Sequence, residues 1–197
     1  MATATVGRRL DDDGDPVPDT GFTIDPDGDV AEYLRERTSP LYSNPVTEDW
    51  TTELVPADET DGEFARGLGL FSPGSAGPPE HYHVGYEESF DVLRGEFVFE
   101  VAGETRRVGP GDSVTAPPDT PHSLRNVGDD VGVPVPETRP AAAPLHVVTT
   151  HFAPAHAGDP TARFDSAWTR RNEGPTKQRV LHAPRVSRYA EGVVHAL

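Results

Sequence analysis

Two histidines one residue apart, His81 and His83, open the part of the sequence best suited to chemistry. In an extended strand, alternate side chains project from the same face, about 7 Å apart by the strand rise. Two imidazoles in that arrangement can converge on one metal ion as ligands. Two adjacent glutamates, Glu87 and Glu88, follow in the stretch EHYHVGYEESFDVLRG. Adjacent side chains of a strand point to opposite faces, so the two carboxylates cannot both join the histidines.

Short β segments separated by turn signals make up the region that must position these side chains. From Trp50 onward they read WTTELV, EFARGLGLF, ESFDVL, EFVFEV, TRRV, DSVTA, HSLRNV and LHVVTTHF. Clusters of proline and glycine, SPGSAGPP, VGPGD and APPDTP, mark the corners between them. Roughly eight short strands in about 100 residues, without helical periodicity, predict an all-β barrel or sandwich.

A second stretch, GDSVTAPPDTPHSLRN, completes a resemblance to the cupin family. The residues that match the two cupin motifs are His81, His83, Glu88 and Gly95 in the first, and Gly111, Pro117, His122 and Asn126 in the second. Asp119 stands where the second motif usually has glycine, and Ser75, beside Gly74, stands where the first usually begins with glycine. Asp tolerates the positive φ of a turn better than most residues, so the first departure is mild.

The resemblance implies an all-β fold, the cupin double-stranded β-helix, which is a small jelly-roll barrel. We assign the barrel to residues 46–156, after an acidic N-terminal arm with a short helix (1–45) and before a basic C-terminal extension (157–197). Residues 1–28 are rich in Asp, Pro and Gly, which predicts a mobile, solvated segment. Asp29 is expected to cap the helix that follows.

The same resemblance implies a metal site whose ligands are His81, His83, Glu88 and His122. The motif spacing selects Glu88 over Glu87, and strand alternation agrees, because Phe90 and Val92 on the same face are apolar. Three imidazoles and one carboxylate suit a divalent transition metal, Fe, Mn, Ni, Co, Cu or Zn, with positions left for water or substrate. The alternative is that these histidines only pack or hydrogen-bond inside the barrel. Asn126 is expected to fix a turn or to support the site rather than to bind the ion.

Four further side chains are weaker candidates. Tyr82 and Tyr86 flank the ligands, and we expect them to cover the rim of the pocket rather than to donate to a bound anion. His146 and His151 lie at opposite parity on the last predicted strand, so only one could face inward. A structural or surface role is the favoured interpretation for both.

The composition is strongly acidic, with a formal net charge of −16 and one lysine, Lys177, beside 16 arginines. It resembles that of proteins from halophilic archaea, whose surfaces are screened by concentrated salt; the alternative is an ordinary acidic cytosolic protein. Acidity argues against nucleic acid as a partner. Residues 1–63 carry 17 acids against 4 bases, whereas residues 160–197 carry 3 acids against 7 bases. The basic stretch is therefore expected to lie against the acidic N-terminal half or against a second subunit.

The remaining composition limits location and partners. No apolar run is long enough to cross a membrane, and aspartates follow the Arg8-Arg9 pair where an export signal needs apolar residues, so we expect a cytoplasmic protein. Cysteine is absent, which excludes disulfides, thiolate nucleophiles and cysteine-ligated zinc. Barrels of this size commonly pair, and the opposite charges of the two ends favour mutual wrapping, so a homodimer is expected.

The leading functional hypothesis is a metal-dependent cupin that acts on a small, oxygen-rich organic molecule, in particular a quercetinase-like dioxygenase. Glu88 would then serve both as ligand and as catalytic base. Two alternatives stay open: a non-enzymatic module that binds or senses a small ligand through the metal, and a metal-dependent isomerase or lyase. This fold hosts many chemistries, so the motifs alone do not separate them.

Overall fold

The computed structural model describes residues 3–8, 13, 15–44, 49–78 and 80–142, together with two short strands near the C-terminus. The strands are β1 Ala4–Val6, β2 Phe22–Ile24, β3 Leu41–Asn44, β4 Asp49–Val55, β5 Ala65–Leu70, β6 His81–His83, β7 Glu87–Arg94, β8 Phe97–Val101, β9 Glu104–Val108, β10 Ser113–Ala116, β11 His122–Asn126, β12 Val133–Arg139, β13 Gln178–Val180 and β14 Val193–Val194. Helix α1 spans Asp29–Glu36, and a 3-10 turn spans Ala57–Thr60. Within these ranges, no helix has the length and apolar character needed to cross a membrane.

Two antiparallel sheets form the barrel, which confirms the predicted all-β jelly roll. Their strand orders are β10-β7-β12-β5-β4-β3-β14 and β13-β6-β11-β8-β9. A separate two-stranded sheet pairs β1 with β2. The assigned limits of the three regions stay predictions, and the segment LHVVTTHF, with His146 and His151, lies outside the described residues.

Apolar side chains from both sheets fill the barrel. They are Phe90, Val92 and Val114 from the larger sheet and Phe97, Phe99 and Leu124 from the smaller one. The alternation in β7 produces this arrangement, because Glu88, Phe90 and Val92 are buried while Asp91 is exposed. The strand register predicted for ESFDVL is therefore confirmed.

A second apolar core covers the opposite face of the larger sheet. Val135 of β12 pairs with Asp91, whereas Pro136 pairs with Phe90, so Val135 faces away from the barrel interior. The side chains that pack with it come from β1 to β5, α1 and β12: Val6, Phe22, Ile24, Val30, Ala31, Leu34, Leu41, Trp50, Leu54, Leu68, Leu70 and Val133. The N-terminal segment therefore forms a layer on the outside of the barrel.

The prediction of a solvated segment over residues 1–28 is wrong for β1 and β2. The Asp- and Gly-rich composition gives no sign of this, because the segment contains only a few apolar residues. The strand pair places three of them, Val6, Phe22 and Ile24, in the core. The indole of Trp50 packs against Phe22 with ring centroids 4.7 Å apart, and its Nε1 donates to the carbonyl of Gly7 at 2.9 Å. These contacts tie the strand pair to β4.

The helix begins one residue earlier than the capping prediction requires. Gly28 is the N-cap residue, and its carbonyl accepts from the amides of Ala31 and Glu32. Asp29 lies in the first turn, where its carboxylate complements the positive end of the helix dipole.

Strand β12 is not among the strands predicted from sequence, because VPVPETR contains two prolines, which are rare inside a sheet. The structure accommodates them because β12 pairs with β5 only at Glu137 and Thr138, beyond the prolines. A register shift between Val133 and Pro134 also interrupts the ladder with β7.

Candidate metal centre

The two sheets bring the four predicted ligands together inside the barrel. His81 and His83 lie on β6, and His122 begins β11 directly opposite His81, all in the smaller sheet. Glu88 comes from β7 in the larger sheet. All four residues are buried, and one ligand atom of each lies within 4.8 Å of those of the others.

A bend between β6 and β7 decides which glutamate enters the cluster. Gly85 has φ +81°, a left-handed conformation that resets the alternation after His83. Glu88 then faces inward beside Ala116 and Thr138, its register partners on the two flanking strands. Glu87 has the opposite parity and lies outside the cluster.

The carboxylate of Glu88 is the centre of the polar contacts. Its Oε2 atom lies 2.8 Å from Nε2 of His83 and 3.2 Å from Nε2 of His122. Burial raises the pKa of Glu88, but the charges and hydrogen bonds of the two histidines outweigh it and hold the pKa well below its usual range. Burial lowers the pKa of His122, but its contacts with Glu88, the hydrogen bond to the carbonyl of Thr120 and the charge of Glu80 together outweigh this and raise it. The cluster thus keeps an ionised carboxylate that requires a positive partner.

A backbone carbonyl and a side-chain hydroxyl orient the rings of His122 and His83. Nδ1 of His122 lies 2.9 Å from the carbonyl oxygen of Thr120, so Nδ1 donates and Nε2 is directed at Glu88. Nδ1 of His83 lies 2.7 Å from the hydroxyl of Tyr86, whose ring stacks on the imidazole at a centroid distance of 4.5 Å. The sequence predicts Tyr86 at the rim; it is instead buried. Burial, and then the charge of Glu88, raise the pKa of this phenol, which keeps it neutral.

Apolar rings border the cluster on the side of the barrel core. Phe90 lies 6.4 Å from the ring of His122 and 5.1 Å from Phe99, measured between ring centroids. Low local polarity strengthens the attraction between a cation and Glu88, and it restricts access of water to the donors.

Asn126 and Asp119 support the loops around the cluster. The Asn126 amide group donates to the carbonyls of Phe71, Ser72 and Asp130, and its Oδ1 accepts from the amide of Gly128. This fulfils the expectation that Asn126 fixes a turn. Asp119 takes φ +59°, the conformation expected where the motif usually has glycine, and its amide donates to the carbonyl of His83 at 2.7 Å.

The donor set fits a transition-metal ion. Bonds of about 2.0–2.2 Å place the donor atoms around one ion at most about 4.4 Å apart. The four ligand atoms of the cluster lie within 4.8 Å, so small side-chain shifts bring them to bonding distance. Three imidazoles and a carboxylate suit Fe, Mn, Ni, Co, Cu or Zn and do not select one of them. A divalent ion would also supply the positive charge that Glu88 requires.

Comparison with known protein families gives the domain its identity. The Cupin_2 family model, described as a cupin domain, matches residues 67–133. This chain carries a cupin domain. The match extends from β5 to the first residue of β12 and includes all four residues of the cluster, so the cupin motifs found in the sequence and the family match coincide. A comparison with curated proteins finds no match.

Solved structures similar to this cupin domain include proteins from several bacteria. KdgF from Halomonas sp. is 23% identical, with 49% of this chain and 83% of that chain covered and a TM-score of 0.44. A predicted oxalate decarboxylase from Thermotoga maritima is 22% identical, with coverage of 46% and 79% and a TM-score of 0.45. A sugar phosphate isomerase from Silicibacter pomeroyi is 23% identical, with coverage of 45% and 59% and a TM-score of 0.40.

Proposed function

We propose that the protein is a metalloenzyme that holds one divalent transition-metal ion through His81, His83, Glu88 and His122 and acts on a small, oxygen-rich organic molecule. The observation that carries this proposal is the convergence of four buried donor atoms within 4.8 Å of one another. An ionised carboxylate at such a depth is costly unless a cation neutralises it. The bound ion would supply Lewis acidity to an oxygen ligand of the substrate.

The chain contributes ligand geometry and a partly dry environment. Because its pKa is lowered, Glu88 is ionised at neutral pH and ready to act as a ligand. We also assign it the role of catalytic base when it is released from the ion. Phe90 and Phe99 form an apolar wall, which favours an organic ligand over simple ion storage.

We further propose that the enzyme is a dioxygenase, so that its reaction consumes molecular oxygen. The support is chemical: the donor set suits redox-active ions such as Fe, Mn, Ni, Co and Cu, and four protein ligands leave coordination positions for a chelating oxygen substrate.

The test combines elemental analysis of the native protein with oxygen uptake against a panel of diols and keto acids. We expect one equivalent of transition metal, oxygen consumption with a member of the panel, and loss of both in His122→Ala. Glu87→Ala is the matched control and should retain both. Protein that binds no metal would overturn the proposed site.

Two outcomes would replace the dioxygenase reaction while keeping the metal. Turnover that persists without oxygen would assign an isomerase or a lyase. Tight metal-dependent binding of a ligand without turnover would assign a binding or sensing module. The homodimer, the halophilic surface and the cytoplasmic location stay predictions.

A further inference from the structure

His83 and His122, whose Nε2 atoms face Oε2 of Glu88, are held by different kinds of partner. Nδ1 of His122 faces the carbonyl of Thr120, which only accepts hydrogen bonds. When the ring is neutral, its hydrogen therefore lies on Nδ1 and Nε2 presents a lone pair, the form that a metal ion needs. Nδ1 of His83 faces the hydroxyl of Tyr86, which both donates and accepts. The tautomer of His83 is therefore left free to change.

The contacts of Glu88 require such a change. When no cation lies between them, the 2.8 Å contact of its Oε2 with Nε2 of His83 needs a hydrogen on Nε2. Ionised Glu88 carries no hydrogen and can only accept. His83 is then the donor, and its Nδ1 must accept from Tyr86. When Nε2 of His83 instead binds a metal ion, the hydrogen must lie on Nδ1.

We propose that Tyr86 is a positioning residue that lets His83 exchange tautomers when the metal binds. This inference rests on the proposed metal site. The hydroxyl of Tyr86 donates to Nδ1 of His83 in the metal-free protein and accepts from it in the loaded protein. The stacked ring, at an interplanar angle of 21°, holds the imidazole plane constant while the hydroxyl hydrogen rotates.

The chain offers a matched pair of variants. Tyr86→Phe keeps the stacked ring and removes only the hydroxyl. Tyr82→Phe removes the equivalent group from a side chain that lies between His81 and His83 in the sequence but has the opposite parity on β6 and is only half-buried. Loss of a group that orients a ligand lowers metal affinity by roughly 10–100-fold.

The experiment records the imidazole nitrogen signals of the ¹⁵N-labelled protein at about pH 9, well above the ordinary histidine pKa. Spectra are taken without metal and with one equivalent of Zn²⁺, and Zn²⁺ affinity is measured by competition with a chelator. For the wild type we expect His83 protonated on Nε2 without metal and on Nδ1 with Zn²⁺, and His122 protonated on Nδ1 in both. In Tyr86→Phe, the contact with Glu88 should still keep metal-free His83 protonated on Nε2, but the Nδ1 signal of His83 should shift because it has lost the hydroxyl partner. Zn²⁺ should bind roughly ten-fold more weakly, because Nδ1–H of the loaded form has lost its acceptor. Tyr82→Phe should match the wild type.

The metal-free spectra separate failure of this inference from failure of the metal site. If wild-type protein binds no Zn²⁺, the proposed function fails. A metal-free wild type with His83 protonated on Nδ1 overturns the role of Tyr86 whether or not Zn²⁺ binds, and needs no variant. Unchanged His83 signals and unchanged Zn²⁺ affinity in Tyr86→Phe overturn it as well.

Discussion

Oε2 of Glu88 and Nε2 of His122 lie 3.2 Å apart, although the two residues are 34 positions apart in the chain and belong to different sheets. A metal ion bound by both would join the two walls of the barrel. Ligands that come from distant parts of the chain exist as a site only in the folded state, so metal binding and folding are coupled. Loading the site should therefore stabilise the fold as well as prepare it for chemistry.

The adjacent glutamates provide the sharpest test of the ligand set. Glu88→Gln keeps the size of the side chain but removes the charge at the centre of the cluster, and it should weaken metal binding by more than the roughly 10–100-fold typical of residues that only orient a ligand. Glu87→Gln, at the opposite parity, should leave affinity unchanged. Isothermal titration with Zn²⁺ or Co²⁺ measures both. The reverse ranking would contradict the register of β7, in which Glu88 faces the barrel interior.

The stability of the protein should respond to pH in opposite ways with and without metal. The folded-state pKa of His122 lies above the ordinary value of 6.5, so its contribution to stability is complete below that pH and is lost as the pH rises through the folded-state pKa. Metal binding needs deprotonated imidazoles, so its contribution grows with pH. The unfolding temperature of metal-free protein should fall above pH 6.5, while the difference between loaded and metal-free protein widens.

The variant His122→Gln serves as the control for this pH dependence. It should flatten the decline of the metal-free protein on the alkaline side and remove the effect of metal. At acid pH the sign reverses for Glu88: its lowered pKa adds stability above pH 4.5, which is lost as the pH falls through the folded-state pKa. Metal-free protein that gains stability above pH 6.5 would contradict the ion pair between Glu88 and His122.

The grouping of His81, His83, Glu88 and His122 could be predicted from sequence because the resemblance to the two cupin motifs points to these positions, and strand alternation agrees with it for Glu88. Tyr86 could not be placed in the same way, since it lies in the bend after Gly85, where alternation is interrupted. The sequence shows only that Tyr86 follows His83 by three residues. That spacing does not indicate a contact unless the geometry of the bend is known. Prediction fails at such positions because backbone conformation, rather than periodicity, decides where a side chain points.

The packing of β1 and β2 on the outside of the barrel, the N-terminal layer, could not be predicted from sequence for a different reason. Val6, Phe22 and Ile24 are scattered through an acidic stretch, and a window average weighs the aspartates more heavily than the three apolar residues. Their partners, such as Trp50, lie beyond that stretch and become neighbours only through long-range pairing. Strand β12 was missed because a proline signals a break unless the pairing of its neighbours is known.

Gly95, the glycine that ends the first motif, should be intolerant of any side chain. It has φ +83°, and a Cβ atom there would lie 2.6 Å from Cα of Gly132. Gly103 has a similar φ of +78° but nothing within 4 Å of the corresponding position. Gly103→Ala should therefore cost only the left-handed strain of about 1–2 kcal/mol, whereas Gly95→Ala should cost roughly 3 kcal/mol or more. Urea unfolding measures both, and equal costs would show that the backbone contact has no weight.

The packing of the N-terminal layer can be tested on a single strand. Phe22 is buried against Trp50, whereas its neighbour Thr23 is exposed. Phe22→Ala should lower the free energy of unfolding by about 3–5 kcal/mol, the usual cost of such a truncation in a core, and Thr23→Ala by less than about 0.5 kcal/mol. A negligible effect of Phe22→Ala would show that residues 1–28 form the solvated segment that the composition predicts.

Stability should rise with salt, because a net charge of −16 makes the folded surface repel itself. One local source is Glu53, whose pKa is raised by burial and then by the charges of Asp58 and Glu59. Raising KCl from about 0.1 to 1 M shortens the screening length from about 10 to 3 Å, which suppresses this repulsion.

Exposed ion pairs such as Arg94–Asp130 lose strength over the same range, but each contributes at most about 1 kcal/mol. The unfolding temperature should therefore climb, and the climb should be smaller in the double variant Asp58→Asn/Glu59→Gln. A flat response in the wild type would mean that the acidic composition imposes no repulsion on the fold.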